Sequence, residues 1–182
     1  MMTLVINVPG LLLDFYSQKS RKKYEELEGY ILSEKVEDKK INEFLNDLDS
    51  TKLKILEDAY SIEELSYRSR IFVFSYLNKY YIQRALIQFN LDSFITDVIS
   101  LNASIPCSQK DLVNKIISIL HGKNWIFLTH SKIQANIFKE NGAKAILISE
   151  EDGNNFKNLI QFIDFTSSHK IDNTLYVSKG CK

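Results

Sequence analysis

Cysteine, proline and a surplus of either charge are what this sequence has least of, and each shortage narrows the field. Cys107 and Cys181 are the only cysteines in 182 residues, and they belong to no C-x-x-C pair. His121, His130 and His169 show no metal-ligand spacing. Neither a zinc site nor a disulfide framework is therefore expected, and a reduced cytoplasmic setting is. Basic and acidic residues balance at 23 each, so no global field gathers nucleic acid or an anionic membrane. The apolar stretch Leu4 to Leu13 is too short to span a bilayer; no basic residue precedes it and no small-residue cleavage site follows. It reads as a buried strand. Internal repeats, low-complexity tracts and clear linkers are missing as well.

What is present describes a packed globule. Hydrophobic residues make up 45% of the chain and aromatics 12%, enough for one domain with a substantial core and a small insertion. The stretch Thr3 to Asp14 is rich in branched residues and closed by Pro9 and Gly10. That pattern predicts a strand buried on both faces, at the centre of a parallel sheet, ending in a tight turn. Open α/β sheets bind ligands beyond the carboxyl ends of their strands, which directs attention to the loop Asn7 to Asp14.

The charged stretch that follows carries Tyr24, Leu27 and Ile31 at helical spacing. A second helix is predicted through Ile41, Phe44, Leu45 and Leu48, and a third through Leu53, Leu56 and Ala59. Together they form an insertion over 16–60. From Arg70 onward strands and helices alternate. Strands are predicted at 71–74, 97–100, 125–128 and 145–148, with helices at 78–89, after Ser108 (stopping at Gly122) and after Ser131 (stopping at Gly142). Phe156, Leu159, Ile160 and Ile163 suit one more helix, and Leu175 to Val177 an edge strand. The predicted fold class is α/β: a Rossmann-like, mostly parallel sheet with helices on both faces. Its core spans 1–15 and 61–182.

Four segments carry the candidate chemistry. Val5 to Asp14 contains Asn7, Pro9, Gly10, Leu12 and Asp14; Ile71 to Phe74 leads to Ser75; Ile105 precedes Pro106; and Phe127 to Gln134 contains His130 and Ser131, with Asn141 and Gly142 beyond. In that order they resemble the motifs of the haloacid dehalogenase-like (HAD-like) superfamily of phosphohydrolases, over roughly 3–149, with a small helical cap inserted after the first strand. In that family an aspartate attacks phosphorus and ligates magnesium, and a second aspartate two residues on exchanges protons. By the resemblance those places are held here by Asn7 and Pro9, and the acids of the last motif by His130 and Gln134. The family's lysine falls at Ile105, leaving Lys110 or Lys132 to reach in from a neighbouring loop.

The resemblance, with its acids exchanged, implies a catalytically inactive pseudo-phosphatase that binds a protein partner or a small anionic ligand. No metal and no cofactor is expected. Magnesium enters only under the alternative, a divergent hydrolase using His130 with Lys110, Lys132 or Asp111. A third reading is a scaffold or dimerisation module acting through the helical cap. Candidate anion-binding residues are Asn7, Gly10, Ser75, Asn78, Lys110, His130 and Ser131, since helix N-terminal amides supply most of what a phosphate needs. Asp14 is expected to be structural, Tyr24, Tyr80 and Tyr81 are a core or partner cluster, and Cys107 has no histidine near it in sequence.

Overall fold

The computed structural model describes residues 1–31, 33, 37–48, 51–100, 109–121, 124–151 and 156–168. Ile105, Pro106, Cys107, Ser108, Gly122, the expected strand at 175–177 and Cys181 lie outside them.

The apolar start of the chain forms β1 (Met2–Asn7), and β4 (Ser69–Ser75), β5 (Asp97–Ser100), β6 (Trp125–Thr129) and β7 (Lys144–Leu147) join it in one sheet. All pairings are parallel and the order is β5-β4-β1-β6-β7, so β1 is central as its uninterrupted apolar character requires. Its residues face apolar neighbours on both sides: Leu4 lies between Ile71 and Ile126, and Ile6 between Val73 and Leu128. On one side of this layer Phe74, Phe127 and Phe138 pack together, with the rings of Phe127 and Phe138 stacked at 3.9 Å.

Parallel neighbours need crossovers, and the helices supply them. α3 (Ile62–Ser66), α4 (Lys79–Gln88), α5 (Gln109–Ile119), α6 (Lys132–Glu140) and α7 (Leu159–Ser168) flank the sheet. Asn78 starts α4 by accepting from the Tyr80 amide at 2.9 Å, and Ser131 starts α6 by accepting from Gln134. α6 ends as expected at Gly142, whose positive φ lets Gly142 and Ala143 bond back to Lys139 and Phe138.

The insertion differs from expectation at one place. α1 (Gln18–Ile31) and α2 (Asp38–Leu48) are present, but no third helix runs through Leu53, Leu56 and Ala59. Leu53–Ile55 is instead a strand, β3, antiparallel to β2 (Leu13–Phe15), with Leu13 opposite Ile55 and Phe15 opposite Leu53. Leu53 and Ile55 flank an exposed Lys54, a period of two, and a ladder partner satisfies the β2 backbone that a helix would leave unpaired. A short 3-10 turn (Ala59–Ser61) then leads into α3. The two helices thus hang from a hairpin.

Candidate functional site at the strand ends

The chain leaves β1 toward β4 on one side and returns to β6 on the other, so the sheet's topological switch lies at β1. The crevice beyond the carboxyl ends of β1, β4 and β6 is where an open α/β sheet binds ligands. It is built from Asn7 to Leu12, Ser75 to Asn78, and Thr129 to Ser131.

Asn7 is fully buried and donates through Nδ2 to Thr129 Oγ1 at 3.1 Å, while its Oδ1 has no partner among the described residues. Thr129 Oγ1 also accepts from the Ser131 amide at 3.0 Å and donates to Gln134 Oε1 at 3.3 Å. Gln134, equally buried, leaves Nε2 unpaired. Ser75 Oγ is turned inward and accepts from the Leu77 amide at 3.1 Å. Pro9 follows a cis peptide, and Gly10 adopts φ +119 where the His130 ring lies against it. Asp14 accepts from its neighbour's amide, Phe15, and pairs with Arg21 of α1, which fits the structural part expected of it.

Two side chains that the sequence did not single out as polar site residues, Glu28 and Tyr76, complete the crevice, together with Tyr24. Tyr24, Leu27, Glu28 and Ile31 form the buried face of α1, so a carboxyl is set in an apolar stripe. The Tyr24 hydroxyl reaches the Val8 carbonyl at 3.5 Å and the Tyr76 amide at 3.4 Å, joining α1 to the ends of both β1 and β4. Glu28, one turn on, accepts from Ser131 Oγ at the start of α6. A charged residue inside a helical apolar stripe is the signal that would have revealed it. Lys110, by contrast, stays exposed on α5 and bonds none of these groups among the described residues. Lys132 is also exposed.

Burial sets the protonation states. It raises the Glu28 carboxyl to about 7, with the Ser131 hydrogen bond opposing and Glu25 adding to the rise. It lowers the His130 imidazole to about 4, helped by the Arg21 charge and partly offset by Asp14. Burial and then Glu28 push both the Tyr24 and Tyr76 hydroxyls up, so they stay neutral. At neutral pH the crevice holds amides, hydroxyls, a neutral imidazole and a carboxyl near half-ionisation.

This donor set does not fit magnesium. The ion takes hard, preferably charged oxygens in an octahedron. The orphaned Asn7 Oδ1 is a neutral oxygen, Gln134 offers its unpaired nitrogen, and the nearby carboxyls of Glu28 and Asp14 are held by Ser131 and Arg21. No group of three or more His, Cys, Asp or Glu side chains arranged to hold a metal occurs among the described residues. Nor do these groups provide an anionic nucleophile at the end of β1. Among the described residues no helix is long and apolar enough to cross a membrane.

No protein-family model matches the sequence, and no curated protein matches it. Solved structures do match. The magnesium-bound candidate HAD-hydrolase YfnB from Bacillus subtilis superposes with a TM-score of 0.69 at 10% identity, over 91% of this chain and 98% of that one. The HAD phosphatase from Thermococcus onnurineus gives 0.60 at 17% identity, over 94% and 100%. The L-2-haloacid dehalogenase from Xanthobacter autotrophicus gives 0.62 at 14% identity, over 84% and 79%. The chain has the HAD-like fold.

Proposed function

We propose that this HAD-like fold serves binding and not hydrolysis, the ligand being a protein partner or a small anionic molecule, in a reducing cytoplasmic setting. In this reading 16–60 is a cap, and Asn7, Pro9, His130 and Gln134 stand where a hydrolase of this fold would carry acids. The observation that carries it is the crevice itself: α1 fills it from within. Tyr24 bonds the β1 and β4 ends and Glu28 takes the start of α6, where a substrate's anionic group would be cradled. Hydrolysis also needs a nucleophile and a cation that the donor set does not favour.

Phosphomonoester hydrolysis tests the reading. With p-nitrophenyl phosphate and magnesium, the wild-type chain is expected to release no p-nitrophenol above the buffer rate. Magnesium-dependent turnover that disappears in Ser75→Ala or His130→Ala overturns it and favours the divergent hydrolase. One observation speaks for that second reading: Glu28, with its carboxyl near 7, is poised as a general acid or base requires.

A further inference from the structure

A second concavity lies away from the strand ends, where the returning limb of the insertion passes α4. Thr51, Lys52 and Leu53 form one wall, and Tyr81, Arg84, Ala85 and Gln88 of α4 the other, around a volume of about 390 Å³. That is within the range of small-molecule sites, roughly 300–1,000 Å³. The walls are tied together by the Tyr81 hydroxyl, which donates to the Thr51 carbonyl, and the Lys52 carbonyl is fixed in turn by accepting from the Tyr16 amide of the outgoing limb at 3.0 Å. The groove is therefore preformed by these hydrogen bonds and does not depend on a ligand to assemble it.

The charges that line it are of one sign. Arg21, Lys23, Arg68 and Lys79 each pair with a carboxylate. Among the described residues Lys52 and Arg84 pair with none, and no acidic side chain lines the groove. In a chain of zero net charge, two unpaired cations facing one cavity are a local concentration of positive potential. A guanidinium offers a planar fork for phosphate oxygens and an ammonium adds a point charge. Between them Leu53, Ala85 and the Tyr81 ring present apolar surface, with the Thr51 hydroxyl and Gln88 amide for orientation. The strand-end crevice lacks this arrangement, because its nearest cation, Arg21, is neutralised by Asp14 and its anion position is taken by Glu28.

We infer that the groove between Lys52 and Arg84 binds a small organic phosphate, a phosphomonoester whose carbon part lies on Tyr81 and Leu53. The inference stands whether or not the crevice hydrolyses anything, since no residue is shared. It is tested by calorimetric titration of the full chain at fixed ionic strength, with EDTA present to silence metal-dependent chemistry. Phenyl phosphate is expected to bind saturably at one site, more tightly than inorganic phosphate, and phenol not at all. Lys52→Ala and Arg84→Ala each weaken phenyl phosphate at least about tenfold, the loss of one charged hydrogen bond, whereas Lys139→Ala binds like the wild type. Both groove residues are exposed, so the variants keep their fold, which urea denaturation verifies. Absence of saturable binding overturns the inference. So does unchanged affinity in both groove variants, or loss of binding in Ser75→Ala with the groove intact.

Discussion

The strand-end crevice and the Lys52–Arg84 groove sit at opposite limbs of the same insertion and treat polarity in opposite ways. In the crevice, polar groups are buried and bonded mostly to one another, with Asn7 Oδ1, His130 Nδ1, Gln134 Nε2 and the Tyr76 hydroxyl left unpartnered. In the groove, charged groups are exposed and, among the described residues, bonded to nothing ionic. Buried unpaired groups are expensive to keep, whereas exposed unpaired cations cost little and remain free to meet a ligand. The topology of the sheet explains why the crevice exists; it does not require that ligand recognition occur there.

The comparison breaks most visibly at Gly10. Its φ of +119 disfavours any side chain, and a Cβ would fall within the His130 ring. Gly10→Ala is expected to destabilise the chain by about 3 kcal/mol, strain and collision together. In a His130→Ala background the collision disappears, and the penalty should shrink to about 1 kcal/mol. Urea denaturation of the four proteins of this cycle checks it; an equal penalty in both backgrounds means the ring is not what crowds Gly10.

A second test uses pH. Glu28 rises from an ordinary 4.5 to about 7 on folding, so the folded state holds its proton more tightly. Its contribution is full below pH 4.5 and is lost as pH climbs through 7. His130 moves the other way, from 6.5 to about 4, so its contribution is full above pH 6.5 and is lost as pH falls through 4. Each shift is worth roughly 3 kcal/mol at most. Between pH 4.5 and 6.5 the two slopes oppose each other. Glu28→Gln should therefore make stability climb with pH across that window relative to wild type, and His130→Gln should make it fall. Parallel profiles for all three proteins contradict the burial of both groups.

The smallest effect is expected at Tyr24. Its hydroxyl bonds are long, and its ring packs at 5.5 Å from Phe15 and 6.1 Å from Tyr76. Tyr24→Phe should cost about 1 kcal/mol of unfolding free energy, read from urea denaturation. A much larger loss would mean that hydroxyl bonding, more than ring packing, holds α1 over the crevice.

The sheet was legible in the sequence because buried parallel strands announce themselves as short apolar runs between helices. Asp97–Ser100 needed no adjustment, and β4, β6 and β7 moved only at their ends. Leu53 to Ala59 misled because its apolar spacing also suits a helix; the partner that decides it, Leu13–Phe15, is forty residues away in the chain. At the site, motif order located Asn7, Ser75, His130 and Ser131 at neighbouring strand ends. It did not reveal Glu28 or Tyr76, because a carboxyl so soon after Glu25 and Glu26 in a helix rich in charge looks solvated until the helix is docked. The groove was invisible for a similar reason, since Lys52 and Arg84 share no motif and meet only through the hairpin's position beside α4.

That hairpin has a further consequence. With Phe15 and Leu53 held on one rung, the ends of the inserted segment are closed by the hairpin itself. Added length there raises closure entropy only logarithmically, by about 0.6 kcal/mol for each doubling. The inserted segment is thus free to change length at small cost, while just before its first rung Gly10 keeps a Cβ position that the His130 ring already fills.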